Sequence, residues 1–315
     1  MSKPRALQHE RYGDKKNSDY FEEYLVKIYS RREAAGLDDL MGRMQAVMIQ
    51  VQHNEALKYL MELYLMTPYR LQAAYKNDSH NVYVLRNKDF NHTAILVLEP
   101  RKADFYDLFT AIDSLYPRAS EKNNARYLGE IYQTDQPEEV VKILQSQEFR
   151  FLDPQAMQNK FLANVNFHFT EPSYFTNNIV GYSKTDFHNH AELGLGEPFE
   201  LSAEEQAQLD KADEVHHHFG LNELIFGIDH LATRVFSGER EHAILELVCL
   251  TDYYFWGAFS IDDMNSSTNI CRKPGIEHET HSPAKVFTAN NNPFYVQSID
   301  KIPSPTEDFV RNFGK

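Results

Sequence analysis

The 315 residues carry 46 acidic and 32 basic side chains, and this net charge of −14 excludes tight nonspecific attraction to nucleic acid or an anionic membrane. Hydrophobic residues make up 42% and charged ones 25%, a globular balance that excludes wholesale disorder. No apolar run approaches the roughly 18–20 residues of a membrane span, and the first ten residues lack the apolar core of a leader. Two cysteines, Cys249 and Cys271, supply neither a disulfide framework nor a zinc-binding pair. The expectation is a cytoplasmic protein of one large or two modest domains.

From Tyr20 to Tyr29, Phe21, Tyr24, Leu25 and Ile28 recur at the spacing of one helix face. The same spacing runs from Asp38 to Tyr64 through Leu40, Met44, Val47, Met48, Val51, Leu57, Leu60 and Met61, and predicts helix until Thr67-Pro68 ends it. The period then changes. Val82–Leu85 and Thr93–Leu98 predict a hairpin across Asn87–Asn91, and a helix follows over about Lys102–Leu115. No glycine-rich phosphate loop is present.

Two later stretches read alike. In the first, Ala125–Thr134 predicts a strand with Tyr127, Gly129 and Ile131 on one face and Leu128, Glu130 and Tyr132 on the other. Pro137 opens a helix carrying Val140, Val141, Ile143 and Leu144, and strands follow at Phe149–Leu152, Asn164–Thr170 and Thr176–Lys184. In the second, a strand at Gly227–Phe236 precedes a helix with Ala243, Ile244, Leu247 and Val248, then strands at Tyr253–Ile261, Lys285–Ala289 and Phe294–Ile299. Ser202–Phe219 between them is a polar helix opened by the capping box Ser202/Glu205. Each stretch is β-α-β-β-β, which signals an internal duplication. The fold expected is α+β. A helical region with a β-hairpin spans 1–124, a first module 125–200, a linking helix 201–225 and a second module 226–315, the modules forming a curved sheet or half-barrels around a cavity.

Gly227-Ile228-Asp229-His230-Leu231-Ala232 resembles the opening strand of such a module in the vicinal oxygen chelate superfamily, which includes glyoxalase I, extradiol dioxygenases and 4-hydroxyphenylpyruvate dioxygenase. Tyr254–Asp263 is similar to the second strand of the hydroxyphenylpyruvate dioxygenase module. Ser282–Phe287, Phe294–Val296 and Ser304–Gly314 are similar to its last two strands and closing helix. The resemblance covers 226–315 best, 125–200 weakly and 1–124 not at all. It implies a metal-dependent enzyme with His230 as a ligand. The further His-bearing strand and terminal glutamate of the dioxygenases have no counterpart before Lys315, so the remaining ligands must come from the first copy, from a partner chain or from nowhere. Modules of this group pair across subunits, which implies a homodimer.

Glu130 occupies in the first copy the place of His230 in the second, so a closed pair of modules would bring a carboxylate and an imidazole together as metal ligands or as an acid–base pair. Each also reads as an ordinary strand residue, His230 hydrogen-bonded and Glu130 exposed. His188 and His190 form an HxH pair whose rings share a face if the segment is extended, while solvated loop histidines are the plainer reading. His216-His217-His218 cannot converge on one ion from a helix, whose successive positions point about 100° apart, and a helix C-terminus accounts for them. His278 and His281 with Glu277 and Glu279 make an acidic histidine loop, a lid or a casual metal site.

Near the hairpin, Arg70 and Arg86 are candidate carboxylate clamps beside His92, and Glu99, at the end of an apolar strand, is a candidate base. Strand-end charges explain the same residues. Trp256 is a candidate wall for an aromatic substrate as well as core. Asn265–Asn269 reads as a polar turn. Cys249, on a buried stripe with no activating histidine, is not a nucleophile.

The leading expectation is a metal-dependent enzyme resembling vicinal oxygen chelate dioxygenases. A divalent metal, with Fe(II) the first candidate, would be held by His230, Glu130 and the His188/His190 pair, and it would act on a small oxygen-bearing substrate, aromatic or a keto acid. Two alternatives stand beside it. One is a metal-free condensing, cyclising or isomerising enzyme using Glu99 or Glu130 as base and Arg70 or Arg86 as clamp. The other is a small-molecule sequestration protein.

Overall fold

The computed structural model describes residues 15–102, 125–153, 167–235, 240–261, 266–276 and 278–290. The helix expected from 102 to 115, the strand at 294–299 and the closing helix at 304–314 lie outside them, wholly or almost so. Among the described residues no helix is long and apolar enough to cross a membrane.

Helix α1 (Lys15–Ala34) forms over the first predicted stripe and is followed by the short α2 (Leu37–Leu40). The predicted helix from Asp38 to Tyr64 is interrupted by a strand. Met44–Val51 is β1, and only Ala56–Met66 is helical, as α3. The reason is burial on both faces, which leaves five consecutive buried residues from Met44 to Met48 and no period-two signal to set against the helical one. Strands β2 (Arg70–Lys76), β3 (His80–Arg86) and β4 (Ala94–Pro100) follow. β1 pairs parallel with β4, β4 antiparallel with β3, and β3 antiparallel with β2. Residues 44–100 thus form a β-α-β-β-β unit of their own, beyond the two that the sequence pattern offers.

The second unit comprises β5 (Ala125–Gln133), α4 (Pro137–Ser146), β6 (Phe167–Phe169) and β7 (Ile179–Ser183), with Phe151 bridging to Thr170. It joins the first through antiparallel pairing of β1 with β5. With β8 (Glu197–Phe199) on β2, the eight strands run β6-β7-β5-β1-β4-β3-β2-β8. Helix α5 (Ala203–His218) starts at the expected capping box, Ser202 and Glu205 bonding reciprocally, and α6 (Leu221–Leu224) follows. The third unit is β9 (His230–Arg234), α7 (Arg240–Leu250), β10 (Tyr254–Ile261), β11 (Ser266–Arg272) and β12 (Ala284–Asn290), in the order β10-β11-β12-β9. Ser266–Asn269, expected as a turn, belongs to β11.

Apolar side chains divide into two cores. One lies under the helices, where Leu25, Leu60, Leu144, Leu209 and Ile244 meet Val47, Tyr132 and Val180. The other covers the opposite face of the large sheet, where Phe187, Leu193 and Leu195 seal Met48, Leu96, Leu128 and Ile131. Strand β5 serves both cores through a bulge. Its pairing with β1 shifts register between Met48 and Ile49, opposite Gly129 and Tyr127, and Gly129 takes φ +142°. Leu128 and Ile131, three apart, therefore share one face, while Tyr127 and Tyr132 join the other. The strict alternation expected for β5 is broken, and Glu130 meets Lys285 of β12 instead of the sealed core.

Helix α1 belongs to the far end of the chain. Phe21 packs edge-on against Phe255 with ring centroids 5.1 Å apart. The buried Arg32 guanidinium donates to the carbonyls of Val248 at 2.8 Å, Tyr253 at 2.6 Å and Asp252 at 3.2 Å, and its Nε to Asp38 at 2.7 Å. Arg32→Met strands those carbonyls without donors, so it is expected to lower stability by about 3 kcal/mol, read from the urea unfolding midpoint at unchanged slope.

Candidate metal centre and cavities

The tip of the β3–β4 hairpin packs against the 3-10 turn Glu279–His281 that precedes β12. The Thr93 amide donates to the Thr280 carbonyl at 3.2 Å, and the contact gathers Asp89, His92 and His281, whose ligand atoms all lie within 4.8 Å of one another. Asp89 Oδ2 is 3.5 Å from His92 Nε2 and 3.6 Å from His281 Nε2. Asp89 Oδ1 accepts from the Asn91 amide at 2.9 Å, which leaves Oδ2 for the imidazoles. That bond, with the two histidines, holds the carboxyl below its usual range, while burial pushes His92 down. Both shifts favour the forms that ligate a metal, carboxylate and neutral imidazole.

The His92 ring is fixed from behind. Its Nδ1 lies 2.9 Å from the Asn87 side-chain Nδ2, the Phe226 carbonyl bonds to the ring, and Thr280 Oγ1 sits 3.2 Å from Nε2. A Cβ on Gly227 would come within 2.6 Å of Nδ1, so the close approach needs glycine there. His281 Nε2 is buried with no hydrogen-bond partner among the described residues. Two imidazoles and one carboxylate suit Fe(II), Mn(II) or Zn(II), and the orphaned nitrogen marks a vacant donor, so the residues fit a divalent ion, at spacings a little wider than coordinating donors keep.

Asp89 and His92 of the cluster, together with His278, line a cleft of about 750 Å³. Pro68, Ile225 and Phe226 give it apolar surface, and Asn87, Asn222 and Thr280 give it hydrogen-bonding groups. Arg70 also lines it, but its guanidinium is held by Asp213 at 2.6 Å and by the carbonyls of Thr67 and Tyr69, each at 2.7 Å. His216 and His217 reach the cleft without converging. His216 Nδ1 turns to the Leu65 carbonyl and His217 Nδ1 to Asp213.

Of the other sequence candidates, His278 packs its ring 5.3 Å from that of His281, and none adds a ligand atom to the cluster. His230 is exposed, its Nδ1 2.9 Å from Asp229, and it is not brought to Glu130. His188 and His190 sit in a 3-10 segment, Phe187–Leu193, so the extended geometry expected for the pair is absent. His190 Nδ1 meets the Tyr75 hydroxyl at 2.6 Å. His188 lies between the guanidiniums of Arg86 and Arg43, a poor place for a cation. Arg86 is buried, its pKa lowered by that burial and by Arg43, and it donates to the Phe90 carbonyl at 2.6 Å. Glu99 is also committed. Its Oε1 accepts from the Ala56 amide at 3.0 Å at the start of α3, and its Oε2 from Asn81 at 2.9 Å and the Tyr83 hydroxyl at 3.3 Å. Trp256 is half-buried under the Arg272 guanidinium, 4.4 Å from the ring centroid.

Glu130 lines a second cavity, of about 300 Å³, between the second and third units. There it forms a fully buried ion pair with Lys285, whose Nζ also donates to the Tyr127 hydroxyl at 3.0 Å. Burial and Glu130 push the Tyr127 phenol well up. Glu246 of α7 lines the same cavity and accepts from the Ser173 hydroxyl. Burial lifts its carboxyl from the ordinary 4.5 to about 7. The folded chain then keeps a proton that the unfolded chain has released, so unfolding free energy falls as pH rises from 4.5 to 7. Glu246→Gln is expected to flatten that part of the stability–pH curve in urea titrations across this window.

Sequence reading reached His92, as a substrate contact, and His281, as part of a loop. Asp89 it missed, because a hairpin-tip aspartate reads only as turn chemistry. Its pairing with a residue nearly two hundred positions away leaves no local signal.

No protein-family pattern and no curated protein sequence matches the chain. Among solved structures it resembles a mutant of 4-hydroxymandelate synthase from Streptomyces coelicolor, with a TM-score of 0.50 and 9% identity over 86% of this chain and 67% of that one. A xylose isomerase-like TIM barrel/4-hydroxyphenylpyruvate dioxygenase fusion protein matches 84% of this chain and 35% of its own at 10% identity and a TM-score of 0.49. Methylmalonyl-CoA epimerase from Mycobacterium tuberculosis matches 45% of this chain and 87% of its own at 15% identity and a TM-score of 0.33. At these identities the likeness speaks for the fold, and with its β-α-β-β-β units this chain has the vicinal oxygen chelate fold.

Proposed function

We propose that this chain is a divalent-metal-dependent enzyme of the dioxygenase type that acts on a small oxygen-bearing molecule held in the 750 Å³ cleft. The observation that carries it is the convergence of the ligand atoms of Asp89, His92 and His281 to within 4.8 Å of one another, with Asp89 and His92 lining that cleft. These three side chains would hold the metal, in place of His230, Glu130, His188 and His190. A bound Fe(II) would polarise substrate oxygens and open a route to dioxygen. The protein's own share is positional. The Phe226 carbonyl and Thr280 orient His92, the Asn91 amide orients Asp89, and Phe226 and Ile225 offer apolar surface against which a substrate excludes water. Asn222, which lines the same cleft, is the group placed to bond a substrate's oxygens. The fold likeness to 4-hydroxymandelate synthase supports a substrate of the aromatic keto-acid class. The metal-free reading is less well supported, because Glu99 is bound to the start of α3, Glu130 to Lys285 and Arg70 to Asp213.

Equilibrium dialysis of the purified chain against Fe(II) under anaerobic conditions, and against Mn(II) and Zn(II), tests this. One ion per chain is expected, with affinity reduced at least about 100-fold in His92→Ala and in His281→Ala. Oxygen uptake by the iron-loaded chain, screened with aromatic 2-keto acids, is expected to vanish in the same variants. Unchanged metal content in both variants would overturn the proposal.

A further inference from the structure

We infer that the smaller cavity, between the second and third units, is a binding site for a small organic ammonium ion, a primary amine on an apolar body, with its nitrogen seated on Glu246. The inference is independent of the metal reading, which concerns the other cleft. At about 300 Å³ the cavity lies at the lower end of ligand pockets, roughly 300–1,000 Å³, a size for a single ring or a short chain.

Its charges are unevenly matched. Four carboxylates line it, Glu130, Glu148, Glu171 and Glu246, against two cations, Lys285 and Arg150. Lys285 is taken by Glu130, both being 2% exposed, and Arg150 lies 4.0 Å from Glu171. Glu246 and Glu148 remain with no ion pair to a described residue. Glu246 has one hydrogen bond, from Ser173, whose hydroxyl also accepts from the amides of Phe175 at 3.1 Å and Thr176 at 3.2 Å and is thereby fixed in place. The surplus is negative, so an anionic ligand is disfavoured.

The walls select among cations. Phe149, Val180, Leu247 and Phe287 face the same space, which an alkyl or aryl body fills and a hydrated metal ion does not. No three ligating groups converge here among the described residues, so the site lacks what a divalent ion needs. A primary ammonium has three donors, one for Glu246 and others for the hydroxyl and amide oxygens of Thr170, Thr176 and Asn178, which line the same cavity.

Calorimetric titration of the full chain with 2-phenylethylamine, and with 2-phenylethanol as its uncharged counterpart, tests the inference at pH 8. One amine is expected per chain, at least about tenfold tighter than the alcohol, a difference of about 1.4 kcal/mol. Glu246→Gln keeps the shape and the Ser173 contact and is expected to erase that difference. Leu247→Phe, which takes up cavity space, is expected to weaken both ligands, and far-UV circular dichroism with unfolding midpoints confirms that each variant is folded. Absence of heat with the amine, equal affinity for the alcohol, or an undiminished preference in Glu246→Gln would each overturn the site.

Discussion

Gly129→Ala is expected to leave little folded protein. A Cβ at this position would stand 1.8 Å from the Ile179 carbonyl oxygen and 2.8 Å from its carbon, on the neighbouring strand β7. Neither backbone can retreat, because β5 is paired on its other side with β1 at the centre of the eight-stranded sheet. At φ +142° the residue also occupies a region that side chains rarely adopt. The loss should exceed about 5 kcal/mol, in the range tied to steric and core failures. That is at least a third of the roughly 5–15 kcal/mol that holds an ordinary domain folded, and the assay is soluble yield together with urea unfolding of whatever folds. A variant within about 2 kcal/mol of the parent would mean that β5 relaxes without the bulge.

Lys285→Met should cost about 3–5 kcal/mol, because it leaves the Glu130 carboxylate buried without its cation. The double variant Lys285→Met/Glu130→Gln should recover most of that loss, since it is the uncompensated charge and not the missing attraction that destabilises. Urea unfolding of the two single variants and the double gives the coupling directly. A double variant as unstable as Lys285→Met would assign the cost to lost packing around the lysine stem.

What the sequence disclosed follows from which signals are local. The β5-α4 and β9-α7 starts, the β3–β4 hairpin and the α5 capping box carry their own periodicity or end chemistry and form nearly where expected. Strand β1 was hidden because both its faces are buried, so Met44, Val47, Met48 and Val51 matched a helical stripe by coincidence. Strand β11 was hidden because Ser266–Asn269 has the composition of a turn and gains its order from β10 and β12. The site was less legible. His188 and His190 look like a chelate only if their segment is extended, and Asp186 instead caps a 3-10 turn by accepting from the His188 amide at 2.8 Å. The bulge at Gly129 turns Glu130 toward β12, a choice made by backbone geometry that alternation cannot anticipate. His92 and His281 meet because a hairpin tip touches a distant turn, and only tertiary structure supplies that meeting.

Helix α1 finds its partners at the opposite end of the chain, Arg32 and the Val248 carbonyl being separated by 216 positions. On the ribosome the helix is therefore completed long before the residues that cover it exist. At about 5–20 residues per second the wait is roughly ten to forty seconds. Throughout it, Phe21, Leu25 and Ile28, which end up buried, face solvent on a nascent segment whose guanidinium has no carbonyls to receive it. Docking the helix on the third unit closes a loop of 216 positions, a long-range contact whose entropic cost must be met before its burial is gained.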